Sequence, residues 1–351
     1  MPKIRILVVD DSVVVRRMLT NILSADPDIE VVGAAANGSI ALAKIPQVNP
    51  DSIVLDLEMP DLDGLATLAA IRKTYPRLPI IMFSAITQKG AEATLDALAL
   101  GASDYVTKPA NMSSKDVALQ YIQQQLIPKI KVLSDRQRSR KSTPPPISQT
   151  LLQPKFKAGD RPTGEILAIG VSTGGPNALS TILPALPANF PLPIVIVQHM
   201  PPVFTQRLAE RLTSISQIPV KEGMNGDILQ PGRAWIAPGD YHMIVEKEGT
   251  RVCIRTHQDP PENSCRPAVD VLFRSVAKIY QAGTIAVVLT GMGQDGLHGC
   301  QCIREAGGQV LVQDEGSSVV WGMPGIVANA GLADSILPLN KIAGEIIRRS
   351  S

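Results

Sequence analysis

Apolar runs alternate with segments of helical spacing along the first part of the chain. Five runs have the length and composition of buried strands, at residues 4–9, 29–35, 52–55, 80–83 and 104–106. Between them apolar positions recur every three or four residues, as in 13–23 and 65–73, which is the pattern of amphipathic helices. This regular alternation predicts a doubly wound α/β domain with a parallel sheet.

The same alternation returns in the second half of the chain. Apolar runs predict further buried strands at residues 166–171, 193–197, 284–290 and 309–313, and helical spacing predicts helices at 204–213 and 269–280. Shorter strands with Gly and Pro turns between them fall at 219–222, 233–237, 242–246 and 252–255. We therefore expect a second doubly wound α/β domain with a hairpin-like insertion near its middle.

A different kind of sequence separates the two sheet patterns. Helical spacing continues through residues 113–133, and three successive prolines at 144–146 then forbid helix and favour an extended spacer. The basic residues just before these prolines are either simply solvated or a docking site for an acidic partner. The sequence thus predicts a first domain at 1–126, a helical extension and Pro/Arg-rich linker at 127–163, and a second domain at 164–351.

Composition narrows the class of protein without indicating a function. Of the 351 residues 44% are hydrophobic but only 3% aromatic, which indicates a core of Val, Ile, Leu and Ala. The formal net charge of +2 gives no broad electrostatic reason to expect nucleic acid or an acidic membrane as partner. The four cysteines form no Cys-x-x-Cys pair, and we find neither a secretory signal nor an apolar run of membrane length. We expect reduced thiols in a cytoplasmic protein that inserts into no membrane.

Polar side chains follow the strands of the first predicted sheet. They are Asp10, Asp11, Asp56, Ser84 and Lys108. The carboxyl ends of neighbouring parallel strands meet in one crevice, so these side chains should lie together. Three carboxylates repel one another unless a cation joins them, and their oxygens suit Mg²⁺, which leaves room for a phosphoryl oxygen. The set would hold a phosphoryl group on Asp56, whereas the alternative is that the aspartates only cap helices.

This first segment closely resembles a response-regulator receiver domain with the flavodoxin-like fold. The matching residues are Asp10-Asp11, the stretch 55–60 around Asp56, Ser84-Ala85 and Lys108-Pro109. The resemblance implies that Asp56 is the phosphoacceptor, that a histidine kinase is the donor and that Mg²⁺ assists. It also implies a cis peptide between Lys108 and Pro109. Ser84 and Tyr105 match the switch pair of such domains, with Lys108 beside them.

A serine at the start of the second domain stands where a nucleophile or a phosphate would be held. The stretch 170–174 has the spacing Gly-x-Ser-x-Gly directly after a predicted strand, with Ser172 at its centre. Small residues on both sides let the backbone turn sharply and expose the hydroxyl. The following helix offers unpaired N–H groups to an anion. The Gly-Lys-Ser/Thr ending of a Walker loop is absent, but a phosphate-binding loop of another kind stays open.

Two further polar side chains follow buried strands of the same domain. His199 and Asp295 would join Ser172 in one crevice if their strands are neighbours. A hydroxyl, a base that takes its proton and a carboxylate that orients the base form the set that nucleophilic catalysis needs. The chain order differs from that of the α/β-hydrolases. Three alternatives stay open: His298 as the base, His199 as a structural histidine, and Asp295 as a turn residue.

The second domain resembles the catalytic domain of the chemotaxis protein-glutamate methylesterase family, often called CheB. The matching stretches are 169–176, 198–200, 236–239, 266–270, 289–296 and 322–324. The resemblance implies that Ser172 is the nucleophile, His199 the general base and Asp295 its orienting partner. The backbone of Met292 would contribute to the oxyanion hole.

The implied reaction is hydrolysis of glutamate methyl esters on methyl-accepting chemotaxis receptors, with deamidation of certain receptor glutamines and no cofactor for either. The order of receiver, linker and esterase also matches, and implies that phosphorylation of Asp56 relieves autoinhibition. Two other functions stay open. One is a phosphorylation-controlled binding module without hydrolase activity. The other is a DNA-binding regulator, which the lack of a helix-turn-helix tail and of a basic excess disfavours.

Overall fold

The chain folds into two compact units, Met1–Gln149 and Thr150–Ser351, each built on its own sheet. The computed structural model describes residues 2–109, 115–139 and 163–351. The prolines at 144–146, and with them most of the predicted linker, lie outside the described residues. Among the helices that the structure describes, none has the length and apolar character needed to cross a bilayer.

The first unit carries a parallel sheet of five strands in the order β2-β1-β3-β4-β5. Its strands are β1 (Ile4–Val9), β2 (Ile29–Ala35), β3 (Ser52–Asp56), β4 (Ile80–Ser84) and β5 (Asp104–Thr107). Its helices are α1 (Val13–Ser24), α2 (Gly38–Val48), α3 (Gly64–Thr74), α4 (Gln88–Ala99) and α5 (Lys115–Ser139). The predicted doubly wound fold is confirmed for this unit.

Helix starts in the first unit are fixed by short polar side chains. Ser12, Asn37, Asp63 and Thr87 each stand just before a helix and accept a hydrogen bond from a backbone N–H of its first turn. Such caps satisfy N–H groups that have no partner within the helix. The caps fix where each helix begins after its strand. The loops between them lie at the carboxyl ends of the strands, where a site can form.

Helix α5 packs on the first sheet well beyond residue 126. Ile122, Leu126 and Ile130 are fully buried at helical spacing. Lys129 Nζ lies 2.8 Å from a carboxylate oxygen of Asp104, which ties the helix to β5. The helical extension up to at least this point is thus part of the first unit, while the exact domain boundaries stay a prediction.

One backbone expectation for the first unit is wrong. The only cis peptide bond among the described residues joins Arg266 and Pro267, so the bond between Lys108 and Pro109 is trans. The two forms of a bond before proline differ by only about 0.5–1 kcal/mol. Surrounding packing can therefore select either form, and the dipeptide alone does not decide it.

The second unit carries a seven-stranded sheet in the order β14-β13-β12-β6-β7-β9-β8, in which every pairing is parallel. Its strands are β6 (Ile166–Val171), β7 (Ile194–Gln198), β8 (Val220–Glu222), β9 (Ala234–Ile236), β12 (Thr284–Val288), β13 (Gln309–Gln313) and β14 (Ser335–Leu337). Its helices are α6 (Gly175–Ile182), α7 (Phe204–Ile215), α8 (Val269–Tyr280), α9 (Leu297–Glu305), α10 (Met323–Asn329) and α11 (Leu339–Arg349).

The expected insertion is an antiparallel hairpin of β10 (His242–Glu248) and β11 (Arg251–His257) outside the main sheet. It packs against α8, where the Val245 N–H donates to the Ser275 hydroxyl at 3.0 Å. Helix α8 buries one face at helical spacing. The buried apolar residues on that face are Val269, Leu272, Phe273, Val276 and Ala277. Helix α8 packs with this face against both the hairpin and the sheet, and the three share one hydrophobic core.

Strand β6 lies at the point where the order of the second sheet reverses. From β6 the chain runs to β7 on one side of it, whereas β12 lies on the other side. In open α/β sheets, sites form outside the carboxyl ends of the strands at such a reversal. The strands before Ser172, His199 and Asp295 are therefore the three central neighbours of the sheet. The predicted meeting of the three side chains depends on this order, which the sequence alone does not give.

Candidate active site

Ser172 stands in a tight turn between β6 and α6. Its N–H donates to the Thr290 carbonyl at 3.0 Å, and its own carbonyl accepts from the Gly175 N–H at 2.8 Å. Gly174 has φ of 78°, a left-handed conformation that glycine adopts at little cost. A Cβ on Gly170 would lie 2.4 Å from Val269, so the strand end packs directly on α8. These small residues place a half-buried hydroxyl at the sheet edge.

His199 lies beside this serine on the neighbouring strand end. Val171 pairs with Gln198 across β6 and β7, and the His199 N–H donates to the Val171 carbonyl at 3.2 Å. The ring is held from both sides: Nε2 lies 2.8 Å from Asp295 Oδ2, and Nδ1 lies 3.6 Å from Cys265 Sγ. Within the described residues the Ser172 hydroxyl makes no hydrogen bond to the ring. Nδ1 is the nitrogen that Asp295 leaves free to exchange a proton.

Asp295 is buried and accepts hydrogen bonds at both oxygens. Besides His199, Oδ2 accepts from the Val269 N–H at 2.6 Å. Oδ1 accepts from the Asp270 N–H at 3.0 Å and from Asn263 Nδ2 at 3.0 Å. Burial by itself raises the pKa of Asp295, but these donors and the His199 ring outweigh it and hold the pKa below its usual value. The group is therefore a fixed carboxylate that orients the imidazole.

Two neighbours, Cys265 and Asp295, oppose the effect of burial on the basicity of His199. Burial by itself lowers the pKa of His199, but its interactions with Cys265 and Asp295 together raise it to about 10. When the sulfur is a thiol it adds no charge and donates its S–H to Nδ1 instead. The neutral ring then carries its proton on Nε2, facing Asp295, and Nδ1 can act as a base.

A short turn supplies two of these contacts, and sequence reasoning assigned neither of them a role. Glu262 and Cys265 exchange backbone hydrogen bonds of 3.1 and 2.9 Å around Asn263 and Ser264, whose φ angles of 52° and 63° are left-handed. This reversal directs Asn263 towards Asp295 and Cys265 towards His199. Asn263 Nδ2 also donates to Asp270 Oδ2 at 2.9 Å, so one amide joins two carboxylates. The sequence signal that could have pointed to Asn263 and Cys265 is the adjacent stretch 266–270, which matches the family but received no role.

The other histidines of the chain have different surroundings. His298 is exposed, with Nδ1 at 3.0 Å from the side-chain oxygen of Gln301. His257 Nδ1 pairs with the exposed Asp259 at 3.2 Å. His242 is buried between the Ala268 N–H and the Pro260 carbonyl. These contacts give no support to His298 as the base.

Met292 lies in the loop that follows β12, beside the serine turn. Both backbone groups of Gly291 are bonded. Its N–H donates to the Val320 carbonyl at 3.0 Å, and its carbonyl accepts from the N–H groups of Gly322 and Met323 at 3.1 and 2.9 Å. A Cβ on Gly291 would lie 2.8 Å from the Ser172 Cβ, which shows how closely the two turns approach. The Met292 N–H has no acceptor among the described residues. It is thus available to bind an oxygen next to the serine.

The first unit contains a second cluster at the ends of β1, β3 and β5. Lys108 Nζ lies 2.7 Å from Asp56 Oδ1 and 3.2 Å from Asp10 Oδ2, and both aspartates are buried. Burial raises the pKa of Asp56 to about 6, although Lys108 opposes the rise. At neutral pH the carboxylate is still mostly ionised.

The acidic residues of this cluster fit a small divalent cation. One oxygen from each of Asp10, Asp11 and Asp56 falls within 4.8 Å of the others. Asp56 Oδ2 is buried and has no hydrogen-bond partner among the described residues. An unpartnered buried carboxylate oxygen is costly, and a hard cation with oxygen ligands would satisfy it.

The two switch residues expected from the resemblance face helices instead of this cluster. The Ser84 hydroxyl lies 3.2 Å from the Gly90 carbonyl and 2.8 Å from the Thr94 hydroxyl, both on α4. The Tyr105 ring is buried, with Lys129 Nζ 5.3 Å from its centre, and burial raises its pKa well above the usual value. In this arrangement neither hydroxyl is bonded to the Asp56 carboxylate.

Similar proteins cover nearly the whole chain. Residues 167–346 match the family described as CheB methylesterase, and residues 6–119 match the response regulator receiver domain. A relative from Trichodesmium erythraeum (strain IMS101), named protein-glutamate methylesterase/protein-glutamine glutaminase, is 65% identical and covers 99% of both chains. A relative with the same name from Nocardioides sp. is 50% identical, over 99% of this chain and 96% of its own. The crystal structure of the Thermotoga maritima CheB methylesterase catalytic domain has 46% identity and a TM-score of 0.52, and covers 53% of this chain and 99% of its own.

Proposed function

The chain belongs to the CheB methylesterase family, and we propose that Ser172, His199 and Asp295 carry out its hydrolase reaction. The protein is a protein-glutamate methylesterase and protein-glutamine glutaminase whose activity is controlled by a receiver domain. The observation that supports the catalytic assignment most directly is the 2.8 Å contact between His199 and Asp295 beside the serine turn. A carboxylate that fixes one ring nitrogen leaves the other as the base.

The first half of the reaction forms an ester on the serine. Ser172 Oγ attacks the side-chain carbonyl carbon of a methylated glutamate while His199 Nδ1 takes the hydroxyl proton. The tetrahedral intermediate then expels the methoxy group, which leaves as methanol with that proton. For this step Ser172 must replace Cys265 at Nδ1, and a thiol at 3.6 Å is a weak competitor.

The second half returns the enzyme to its starting state. Water attacks the acyl-serine with His199 as base, which releases the glutamate carboxylate and restores the Ser172 hydroxyl. A glutamine substrate follows the same path and releases ammonia in place of methanol. The free Met292 N–H is a donor for the oxyanion in both halves, a role in which one lost donor typically costs about 10²–10³-fold in kcat.

Control by phosphorylation is assigned to Asp56 and to a histidine kinase as donor. Asp10, Asp11 and Asp56 would hold Mg²⁺, which supplies positive charge to the oxygens of the transferred phosphoryl group. Lys108 keeps Asp56 oriented and adds a second positive charge at the same oxygens. Ser84 and Tyr105 would leave their present contacts when the receiver switches, and the switch relieves autoinhibition of the esterase.

The substrates proposed are methyl-accepting chemotaxis receptors, which the esterase meets in the cytoplasm without inserting into the membrane. Neither a binding module without hydrolase activity nor a DNA-binding regulator is favoured, because the relatives are named as enzymes over their full length. No cofactor is assigned to the ester hydrolysis, since the three side chains supply nucleophile, base and orienting charge.

Methanol release from a methylated receptor fragment tests the catalytic assignment. We expect Ser172→Ala to lose at least about a thousandfold in kcat, because triad serines in other hydrolases lose more than this. Ser180→Ala, a serine on α6 whose hydroxyl donates to the Pro176 carbonyl, is the control. Turnover by Ser172→Ala close to that of the parent would remove the assignment.

The same assay with a small phosphodonor tests the control by the receiver. The donor should stimulate the parent, and Asp56→Asn should bring that stimulation to about one because no acyl phosphate can form. Asp61→Asn, an exposed neighbour in the same loop, should respond as the parent does. Equal stimulation of Asp56→Asn and parent would place the phosphorylation elsewhere.

A further inference from the structure

We propose that Cys265 and His199 form an inhibitory site for Zn²⁺ inside the esterase centre. The site consists of the Cys265 sulfur and the ring nitrogen that Asp295 leaves free. These two atoms lie 3.6 Å apart, and one Asp295 oxygen lies within 4.8 Å of both ligand groups. The expected inhibition rests on the proposed function, whereas the binding of the ion does not.

The distance between the two atoms suits a shared zinc ion. Zinc lies about 2.3 Å from cysteine sulfur and about 2.0–2.1 Å from histidine nitrogen, and its usual geometry is tetrahedral. Two ligands at those lengths and at the tetrahedral angle are about 3.6 Å apart. Nδ1 and Sγ are at this separation already, so zinc can bind both atoms without a change in the distance between them.

The surroundings of His199 match those of a zinc ligand. Asp295 accepts from the opposite ring nitrogen at 2.8 Å, and a carboxylate in that position fixes the ring and strengthens the nitrogen that binds the metal. Asp295 is itself held by two backbone N–H groups and Asn263, so it stays in place as the partner of the ring. Cys265 is half-buried and therefore reachable from solvent.

Binding would stop catalysis by a defined step. The Cys265 thiol releases its proton to solvent and bonds to the ion as thiolate, while water completes the coordination. Nδ1 then donates its lone pair to the metal and cannot take the proton of Ser172. A chelator removes the ion and restores the base, so the inhibition is reversible and differs from oxidation of the thiol.

The test measures binding and activity separately on the full chain. After chelator treatment and in excess Mg²⁺, which occupies the acidic receiver cluster, Cd²⁺ is titrated as a spectroscopic probe and Zn²⁺ as its competitor. We expect an ultraviolet thiolate-to-cadmium band with one ion per chain, displaced by Zn²⁺. Zn²⁺ should inhibit methanol release, and a chelator should restore it.

Variants assign the site. Cys265→Ser and Cys265→Ala should remove the cadmium band and weaken inhibition by Zn²⁺ at least about tenfold, each compared with its own metal-free rate. His199→Gln, tested for binding only, should weaken cadmium binding by a similar factor. Cys302→Ser is the matched control, because Cys302 is also half-buried but bonds to no histidine among the described residues.

Three results would overturn the proposal. The band could persist in Cys265→Ala, which would place the metal at another cysteine. Cadmium could fail to bind the parent at all, whatever the esterase activity. Metal could bind at Cys265 without slowing methanol release, which would remove the inhibitory role. The catalytic assignment fails separately, if Ser172→Ala is as active as the parent.

Discussion

The two units each contain a buried carboxylate that faces a positively charged or basic side chain, and the two carboxylates are held in opposite ways. Asp295 accepts from three other donors besides His199, and its pKa is lowered. Asp56 contacts Lys108 but keeps Oδ2 without a partner among the described residues, and its pKa is raised to about 6. Both carboxylates are buried, but Asp56 has fewer donors, and the neighbouring Asp10 carboxylate raises its pKa further.

The comparison indicates what each carboxylate is built to do. A carboxylate whose oxygens are all bonded stays ionised and stationary, and it can only orient its neighbour. A carboxylate with a free buried oxygen is less stable as it stands, and a cation or a covalent bond to phosphorus relieves that cost. Orientation suits the esterase centre, and acceptance of a ligand suits the receiver.

Removal of the charge from Asp295 should give the largest effect. We expect Asp295→Asn to lower kcat by about 10⁴-fold, because the amide turns a donor towards His199 and favours the wrong tautomer. Asp259→Asn changes the exposed partner of His257 and should leave kcat near that of the parent. A small loss in Asp295→Asn, with a normal thermal melt, would contradict the orienting role.

Acidification should weaken the binding of Mg²⁺ at the receiver cluster, by a smaller factor than the loss expected for Asp295→Asn. The Asp56 carboxyl takes up a proton as pH falls through its pKa of about 6, and the protonated form no longer attracts a cation. Between pH 7 and pH 5 we expect the Mg²⁺ dissociation constant, measured by calorimetry, to rise about tenfold, since one unit below the pKa only about a tenth of the group is ionised. An affinity that stays constant over this range would show that Asp56 is not a ligand.

Removal of one hydrogen-bond donor from Asp295 should make its surroundings more like those of Asp56. Asn263→Gly deletes the amide at 3.0 Å from Oδ1 while glycine keeps the left-handed turn without strain. A lost hydrogen bond to a charged group costs about 1.5 kcal/mol, so kcat should fall about tenfold. Ser264→Gly alters the neighbouring turn position and controls for the backbone. Equal kcat for the two glycine variants would remove Asn263 as a positioning residue.

The sequence determined the class of fold and the types of residue at the strand ends. Continuous apolar runs predict buried parallel strands because both faces of such a sheet are covered, and the residue after each run must then lie at the sheet edge. Asp56, Ser172 and His199 were located in this way without coordinates. Helix α11 and the short strand β14 were not predicted. Strand β14 has few residues and is only partly buried, so it leaves little apolar pattern in the sequence.

The tertiary structure alone decided which strands are neighbours and how each polar atom is satisfied. Apolar periodicity is a local property, so it contains no information on whether β12 or another strand lies beside β6. The choice of His199 Nδ1 as the free nitrogen depends on Asp295, distant in sequence, and on Cys265, which a left-handed turn directs into the site. Hydrogen bonds between distant segments form only after the chain has packed, and those bonds fix the charge state of both carboxylates.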